Sequence, residues 1–508
     1  MAHPTPSTIF PNTETFSGWN APARFQAEIR SLEIVGKVPQ DLRGAFFRIQ
    51  PDAAFPPRFE DDVALNGDGN VSKFTFENGH VDFKCRYVRT AKFEAEEAAR
   101  RALVGRYRNR YTDDPLVKDI VTRTTSNTHV IYHAGILMTL KEDGPPYEID
   151  ATTLETKGIV NFHGTRRSPT FSAHPKIDEK TGEMITFGYE AKGDGTPDIC
   201  YMVVDKSGKI VEEVWIVAPY ACMLHDFCVT ENYVVFPLNT LKSSVEQLKR
   251  GEEHFYFDEK QDYQMIGILP RRGGKPEDAK WFKTVHGFWI HNINAFEESG
   301  KIVMDASVWS DCIFPFFPNT EGVKFTQQPD KIKAPVFRYR FDPQGDVETL
   351  VKPEGVLMDG TLEFGRIDDR CVTRRHDNFW ILGSDMSRFH NDGDVMFQGG
   401  FNVLHHYHCL TGRSQTYWPG PRTTLQEPVF IPRHPGAQSD DGYIILLCNR
   451  FDEMRNDLLL FEAMAIQRGP IATIKLPLRL RDGIHGSWVD HADIERASKR
   501  SEASNERQ

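Results

Sequence analysis

Four of the 18 histidines stand in short contexts that resemble one another: Ser172-Ala173-His174-Pro175, Met223-Leu224-His225-Asp226-Phe227, Trp289-Ile290-His291-Asn292 and Gly483-Ile484-His485-Gly486. Each ends or follows an apolar run, and each belongs to a different stretch of repeating structure. Imidazoles converging from separate strands, with no nearby cysteine and no shared carboxylate ligand, suggest a redox metal centre. The tract His405-His406-Tyr407-His408 is more conspicuous to the eye. On a strand, His406 and His408 would share a face, a usable two-ligand spacing. It also fits the repeat described next, so an exposed outer strand is the expectation there.

Bringing distant histidines together requires a convergent fold. An alternating apolar run, a turn ending in Gly and a second alternating run recur in Tyr147–Phe162, His174–Tyr189, Tyr201–Val217, Ile293–Trp309, Phe337–Val351 and Leu404–Trp418. Period-2 alternation around Gly and Asp turns identifies β-hairpins. Their repetition over most of the chain points to an all-β radial array, a β-propeller. The inner strands of a propeller face one axis, where ligands far apart in sequence can meet. Helices are expected at Ala91–Tyr107 and Leu241–Gly251, interrupting the strands as parts of a cap. Residues 1–21 read as an extended arm, 22–490 as a single propeller domain, and 491–508 as a charged, flexible tail.

The chain has 508 residues, 39 % of them hydrophobic, with 35 Phe and 15 Tyr, enough for a large core. A net charge of −11 argues against a nucleic-acid partner, which would need a basic surface. The eight cysteines are scattered without a C-x-x-C pair and read as reduced thiols. Nothing near the start has the form of a signal peptide, and the longest apolar runs, such as Tyr443–Cys448, are strand-sized. A cytoplasmic protein without a transmembrane segment is expected. Asn66-Gly67-Asp68-Gly69-Asn70 lacks the spacing of a nucleotide-binding loop.

The four histidine contexts resemble those of the carotenoid cleavage oxygenases. Leu425-Gln426-Glu427-Pro428-Val429-Phe430-Ile431-Pro432 is similar to that family's E-P-x-F-x-P signature, and Leu65-Asn66-Gly67-Asp68-Gly69 and Glu363-Phe364-Gly365-Arg366-Ile367 also match. The resemblance spans roughly residues 30–490. It implies a seven-bladed β-propeller with a capping dome of loops and a few short helices, and an Fe(II) ion on the axis held by His174, His225, His291 and His485. It also implies that Glu142, Glu363 and Glu427 orient His225, His291 and His485 in turn, with no such Glu for His174. Glycine at 365 replaces the family's proline and loosens that turn. Thr128 matches a threonine whose methyl group crowds the remaining metal position in parts of the family.

Tyr107 and Lys141 match a pair that grips the 4-hydroxyl of a phenolic stilbene in the stilbene-cleaving branch. An ammonium and a hydroxyl in a closed pocket would lower the pKa of a phenol, and a phenolate pushes electron density into the central double bond. A hydrocarbon substrate would instead leave a buried lysine unpaired. Alternatively, Lys141 is a solvated neighbour of Glu142. Phe59, Phe288 and Phe314 could form an aromatic slot or ordinary core. The implied activity is dioxygenation of a 4-hydroxystilbene, such as resveratrol or piceatannol, with O2 and no organic cofactor, giving two aromatic aldehydes. An apocarotenoid cleaver, a non-catalytic propeller scaffold and a Ca²⁺-dependent propeller hydrolase are the alternatives. A scaffold needs no axial histidines and a Ca²⁺ site would use oxygen ligands. Oligomeric state is not legible.

Overall fold

The computed structural model describes residues 8–120, 122–324, 332–388 and 400–505. Seven antiparallel sheets of four or more strands form the blades of a β-propeller, accompanied by a two-stranded ribbon. The expected hairpins recur within the blades, for example Lys176–Asp178 with Glu183–Tyr189 and Leu362–Arg366 with Asn378–Gly383. Middle strands are covered by the adjacent blades on both faces. Asp198–Val204 is therefore buried almost throughout, whereas the outer strand Ile210–Val217 alternates. Apolar seams lock neighbouring blades, such as Phe187 against Phe227 and Phe236 with ring centroids 4.8 and 5.7 Å apart.

Both ends of the chain close the ring. Gly486–Asp490 pairs with Gly44–Asp52 and supplies the innermost strand of the first blade. Ala27–Ile29 adds the outermost strand of that same blade, and Glu33–Gly36 the outermost strand of the seventh. The innermost strands line an axial well of about 760 Å³.

Helices are short and peripheral, as expected, but two bounds differ from the sequence reading. Helix α1 spans Ala91–Ala99 and stops at Arg100, which is left-handed with φ 56°. The Glu96 carboxylate then accepts the amides of Leu103 and Val104, drawing the chain away from the helix axis, so Tyr107 lies in a turn. Helix α2 is reduced to Val245–Lys249 because Leu241–Ser243 pairs with Phe255–Phe257 in the ribbon. The segment read as a flexible tail forms helix α3, His491–Asn505, with Ile494 and Ala497 packed against the first and second blades. The histidine tract lies in Val403–His408 of the sixth blade. His406 is buried there rather than exposed, stacked on Trp380 at 5.4 Å and bonded to Asn378 at 2.8 Å. No helix among the described residues is long and apolar enough to cross a membrane.

Candidate metal centre

The four separated histidines are delivered by the beginnings of inner strands. His174 precedes Lys176–Asp178, His225 precedes Cys228–Val229, His485 precedes Gly486–Asp490, and His291 sits at a register irregularity inside Phe288–Glu298. Their Nε2 atoms converge: 3.0 Å between His174 and His225, 3.1 Å between His225 and His291, and 3.1 Å between His291 and His485. Metal–imidazole bonds of about 2.1 Å meeting at right angles would set neighbouring nitrogens about 3.0 Å apart, whereas tetrahedral angles would give about 3.4 Å. The cluster therefore has the spacing of a right-angled donor set with further positions open.

Three carboxylates fix the tautomers. Glu142 bonds Nδ1 of His225, Glu363 bonds Nδ1 of His291 at 2.6 Å, and Glu427 bonds Nδ1 of His485 at 2.9 Å. A carboxylate accepts the Nδ1 proton and leaves the Nε2 lone pair facing the centre. Several lone pairs aimed at one another at this distance repel unless a cation lies among them, so the donor set fits a metal ion. Burial, reinforced by neighbouring imidazoles, holds His174 and His485 far below the ordinary histidine range, which keeps them neutral ligands. Burial also opposes charge on Glu142, yet the adjacent His225 keeps its carboxyl below the usual range. His174 has no comparable glutamate; its Nδ1 is 4.0 Å from Asp226.

Several residues of this centre gave no signal in the sequence. Asp226 accepts from Lys176 Nζ and the Asn292 amide, at 2.7 and 2.8 Å, and so ties together three histidine-bearing blades. Trp309 donates its indole N–H to the second oxygen of Glu363 at 3.0 Å. Phe364 adopts φ 58° and packs its ring 4.9 Å from that of His291; a left-handed phenylalanine at a functional site is stored strain. His129 is a fifth imidazole, 5.2 Å from His485 between centroids, but its nitrogens bond Ala173 O and Ser487 Oγ. The local patterns recognisable in the sequence were the histidine contexts, the Glu427 segment, the Glu363–Ile367 segment that contains Phe364, and Leu65–Gly69.

On the cap side, Lys141 is buried, with Nζ 5.0 Å from the centroid of the Tyr107 ring. It donates to Leu65 O at 3.2 Å and Thr125 Oγ1 at 2.7 Å. It is therefore not a solvated neighbour of Glu142. Tyr107 lies 6.1 Å from Phe317, and Phe314 lies 5.9 Å from both Phe317 and Phe288. Phe59 stands apart from that cluster, half-buried beneath the Arg106 guanidinium at 4.5 Å. Thr128 is buried beside His129, its hydroxyl bonded to Asn127. The axial well reaches His174, His291 and His485 past the turns at Ala134-Gly135 and Gly182, and none of these cap residues lines it.

A second cluster, Asp305, His376 and Cys409, is differently engaged. Arg338 forms a two-pronged ion pair with Asp305 at 2.8 and 2.6 Å, so a cation there would have to displace a guanidinium.

Comparison with known proteins agrees with this geometry. The family model described as retinal pigment epithelial membrane protein matches residues 20–490. The chain is 42 % identical to resveratrol cleavage oxygenase 1 of Chaetomium globosum over 98 % of this chain and 91 % of that one. It is 43 % identical to carotenoid cleavage oxygenase 1 of Neurospora crassa over 95 % and 91 %. The crystal structure of Pseudomonas brassicacearum lignostilbene dioxygenase superposes with a TM-score of 0.90 at 41 % identity, covering 95 % of this chain and all of that one. With a matching propeller and a buried histidine centre on its axis, the chain belongs to the retinal pigment epithelial membrane protein family, the carotenoid cleavage oxygenases.

Proposed function

We propose that this oxygenase cleaves the central C=C bond of a 4-hydroxystilbene, resveratrol, piceatannol or a close relative, adding one oxygen atom of O2 to each carbon to release two aromatic aldehydes. His174, His225, His291 and His485 would hold Fe(II), and Glu142, Glu363 and Glu427 would keep those imidazoles aimed. When bound, the iron supplies the means of making O2 reactive toward an alkene. The right-angled spacing favours such an ion over tetrahedral zinc.

The observation that carries the substrate is the Lys141–Tyr107 pair. An ammonium has three N–H donors, and Lys141 commits one to Leu65 O and one to Thr125 Oγ1. The third makes no hydrogen bond, the Asp143 carboxylate lying 3.8 Å from Nζ, and is available to a phenolic oxygen. Burial pushes the lysine below its ordinary range, so a phenolate beside it restores the favourable environment that desolvation removed. The phenolate then delivers electron density through the ring to the double bond. Phe288, Phe314 and Phe317 offer flat apolar surface for the rings, while Thr128 narrows the space beside the histidines. Phe59 would close the outer side of the cap next to Arg106. An apolar polyene could use the same phenylalanines, but it would leave the third Lys141 donor with no hydrogen-bond acceptor.

Iron-loaded protein incubated in air with resveratrol should yield 4-hydroxybenzaldehyde and 3,5-dihydroxybenzaldehyde by mass spectrometry, with an apocarotenal in parallel left largely intact. Lys141→Met should reduce kcat/KM for resveratrol by about 100-fold, the scale of a lost charge-assisted interaction in the transition state. Cleavage of the apocarotenal alone, or full resveratrol turnover by the variant, would reject this reading.

A further inference from the structure

Behind Glu142 lies a buried polar chain that leads from the metal centre to Arg108, the residue after Tyr107. Tyr189 donates its hydroxyl proton to the second oxygen of Glu142 at 2.7 Å. The Arg108 guanidinium in turn donates to the Tyr189 oxygen and, at 2.6 Å, to Glu190. Glu190 is itself held by Ser243 Oγ at 2.5 Å, Gly195 N at 2.9 Å and His254. The His254 ring closes the circuit by bonding the Arg108 carbonyl at 2.9 Å. Arg108, Tyr189, Glu142, Glu190 and His254 are all buried, and Arg108 holds a left-handed backbone, φ 55°. A large side chain kept in that conformation is over-determined by its surroundings.

A guanidinium has five donors and no acceptor. Any hydroxyl whose oxygen accepts from it must send its own proton elsewhere. For Tyr189 that direction is toward Glu142, and through Glu142 to the His225 ring. We propose that Arg108 is a positioning residue: by occupying the Tyr189 oxygen it turns the Tyr189 phenolic proton toward Glu142, the carboxylate that aims the metal ligand His225.

Two variants test this in the loaded enzyme. Tyr189→Phe removes one hydroxyl and keeps the ring. Arg108→Gln combined with Glu190→Gln removes the guanidinium without leaving a lone buried charge. Tyr189→Phe should lower kcat for resveratrol by about 10-fold with KM within about twofold, as for other groups that orient a metal ligand. It should also move the ligand-field absorption of the cobalt(II)-substituted protein. The double variant should lower kcat by a similar factor and move the cobalt band as well, because Arg108 acts through Tyr189. An unmoved cobalt band in either folded variant overturns the proposal. So does a lowered Tm with wild-type constants in the folded fraction, which is the signature of a merely structural role. If the wild type cleaves no stilbene, the functional reading falls and the cobalt band alone decides the proposal.

Discussion

The three carboxylates around the centre are each completed by a different donor: Tyr189 for Glu142, Trp309 for Glu363, and the Gly486 amide at 3.0 Å together with Arg366 for Glu427. Tyr189, Trp309 and the Gly486 amide each fix the oxygen that does not touch histidine, while Arg366 pairs with the Glu427 oxygen that does, so no carboxylate can rotate away from its ring. Trp309→Phe keeps the bulk and removes the indole N–H, leaving a buried carboxylate oxygen unpaired. Iron retention during dialysis against a chelator should fall by about 10-fold, with little change in secondary structure; equal retention in wild type and variant would show that the indole bond is dispensable. At this scale the histidines and glutamates were legible because short local patterns carry them. Trp309, Tyr189 and Arg108 were not. Their types read as core or surface, and their roles arise from partners 54, 47 and 81 residues away.

Among the elements, the cap shows how far propensity falls short of tertiary structure. Ala, Glu and Arg between residues 91 and 107 favour helix, but the buried Lys92 is drawn to Asp68 and Glu96, at 2.7 Å each, and the chain turns. That turn is what sets Tyr107 beside Lys141. The hairpins were readable wherever an outer strand alternates, as in Ile210–Val217, and less so in the continuously apolar middle strands. The loop that offers Leu65 O to Lys141 contains a titratable brace. Asp62 accepts from Asn66 Nδ2 at 2.8 Å, which also donates to Gly105 O at 2.9 Å. Burial raises the Asp62 carboxyl to about 7. With the folded pKa above the unfolded one, its contribution to stability is fully present at low pH and is lost as pH rises through about 7. Asp62→Asn should remove that dependence. The Tm advantage of the variant should therefore grow between about pH 4 and about pH 7 and level off above that; a constant offset across that range would contradict it.

On the scale of the whole molecule, the centre joins four blades, because His174, His225, His291 and His485 come from the third, fourth, fifth and first. A bound ion acts as an axial tie, and a ligand at about 1,000 times its Kd stabilises the native state by about 4 kcal/mol. Chelation should lower the calorimetric Tm and restored Fe(II) should raise it again; a Tm indifferent to metal would mean that the seams between blades alone set the stability. Net charge and the absence of a long apolar helix among the described residues bound the surface, while the radial repeat was legible because each blade rewrites the same hairpin. How the ring closes was not, since no local pattern tells Ala27–Ile29 and Glu33–Gly36 to join different blades.

That closure has a consequence for how the protein is made. Three of the imidazoles have been synthesised by residue 291, but His485 follows 194 residues later, immediately before the strand that seals the first blade. A growing chain on the ribosome can therefore gather only an incomplete set of ligands. Capture of the ion by all four imidazoles is deferred until Gly486–Asp490 docks, so maturation of the centre reports that the ring is shut.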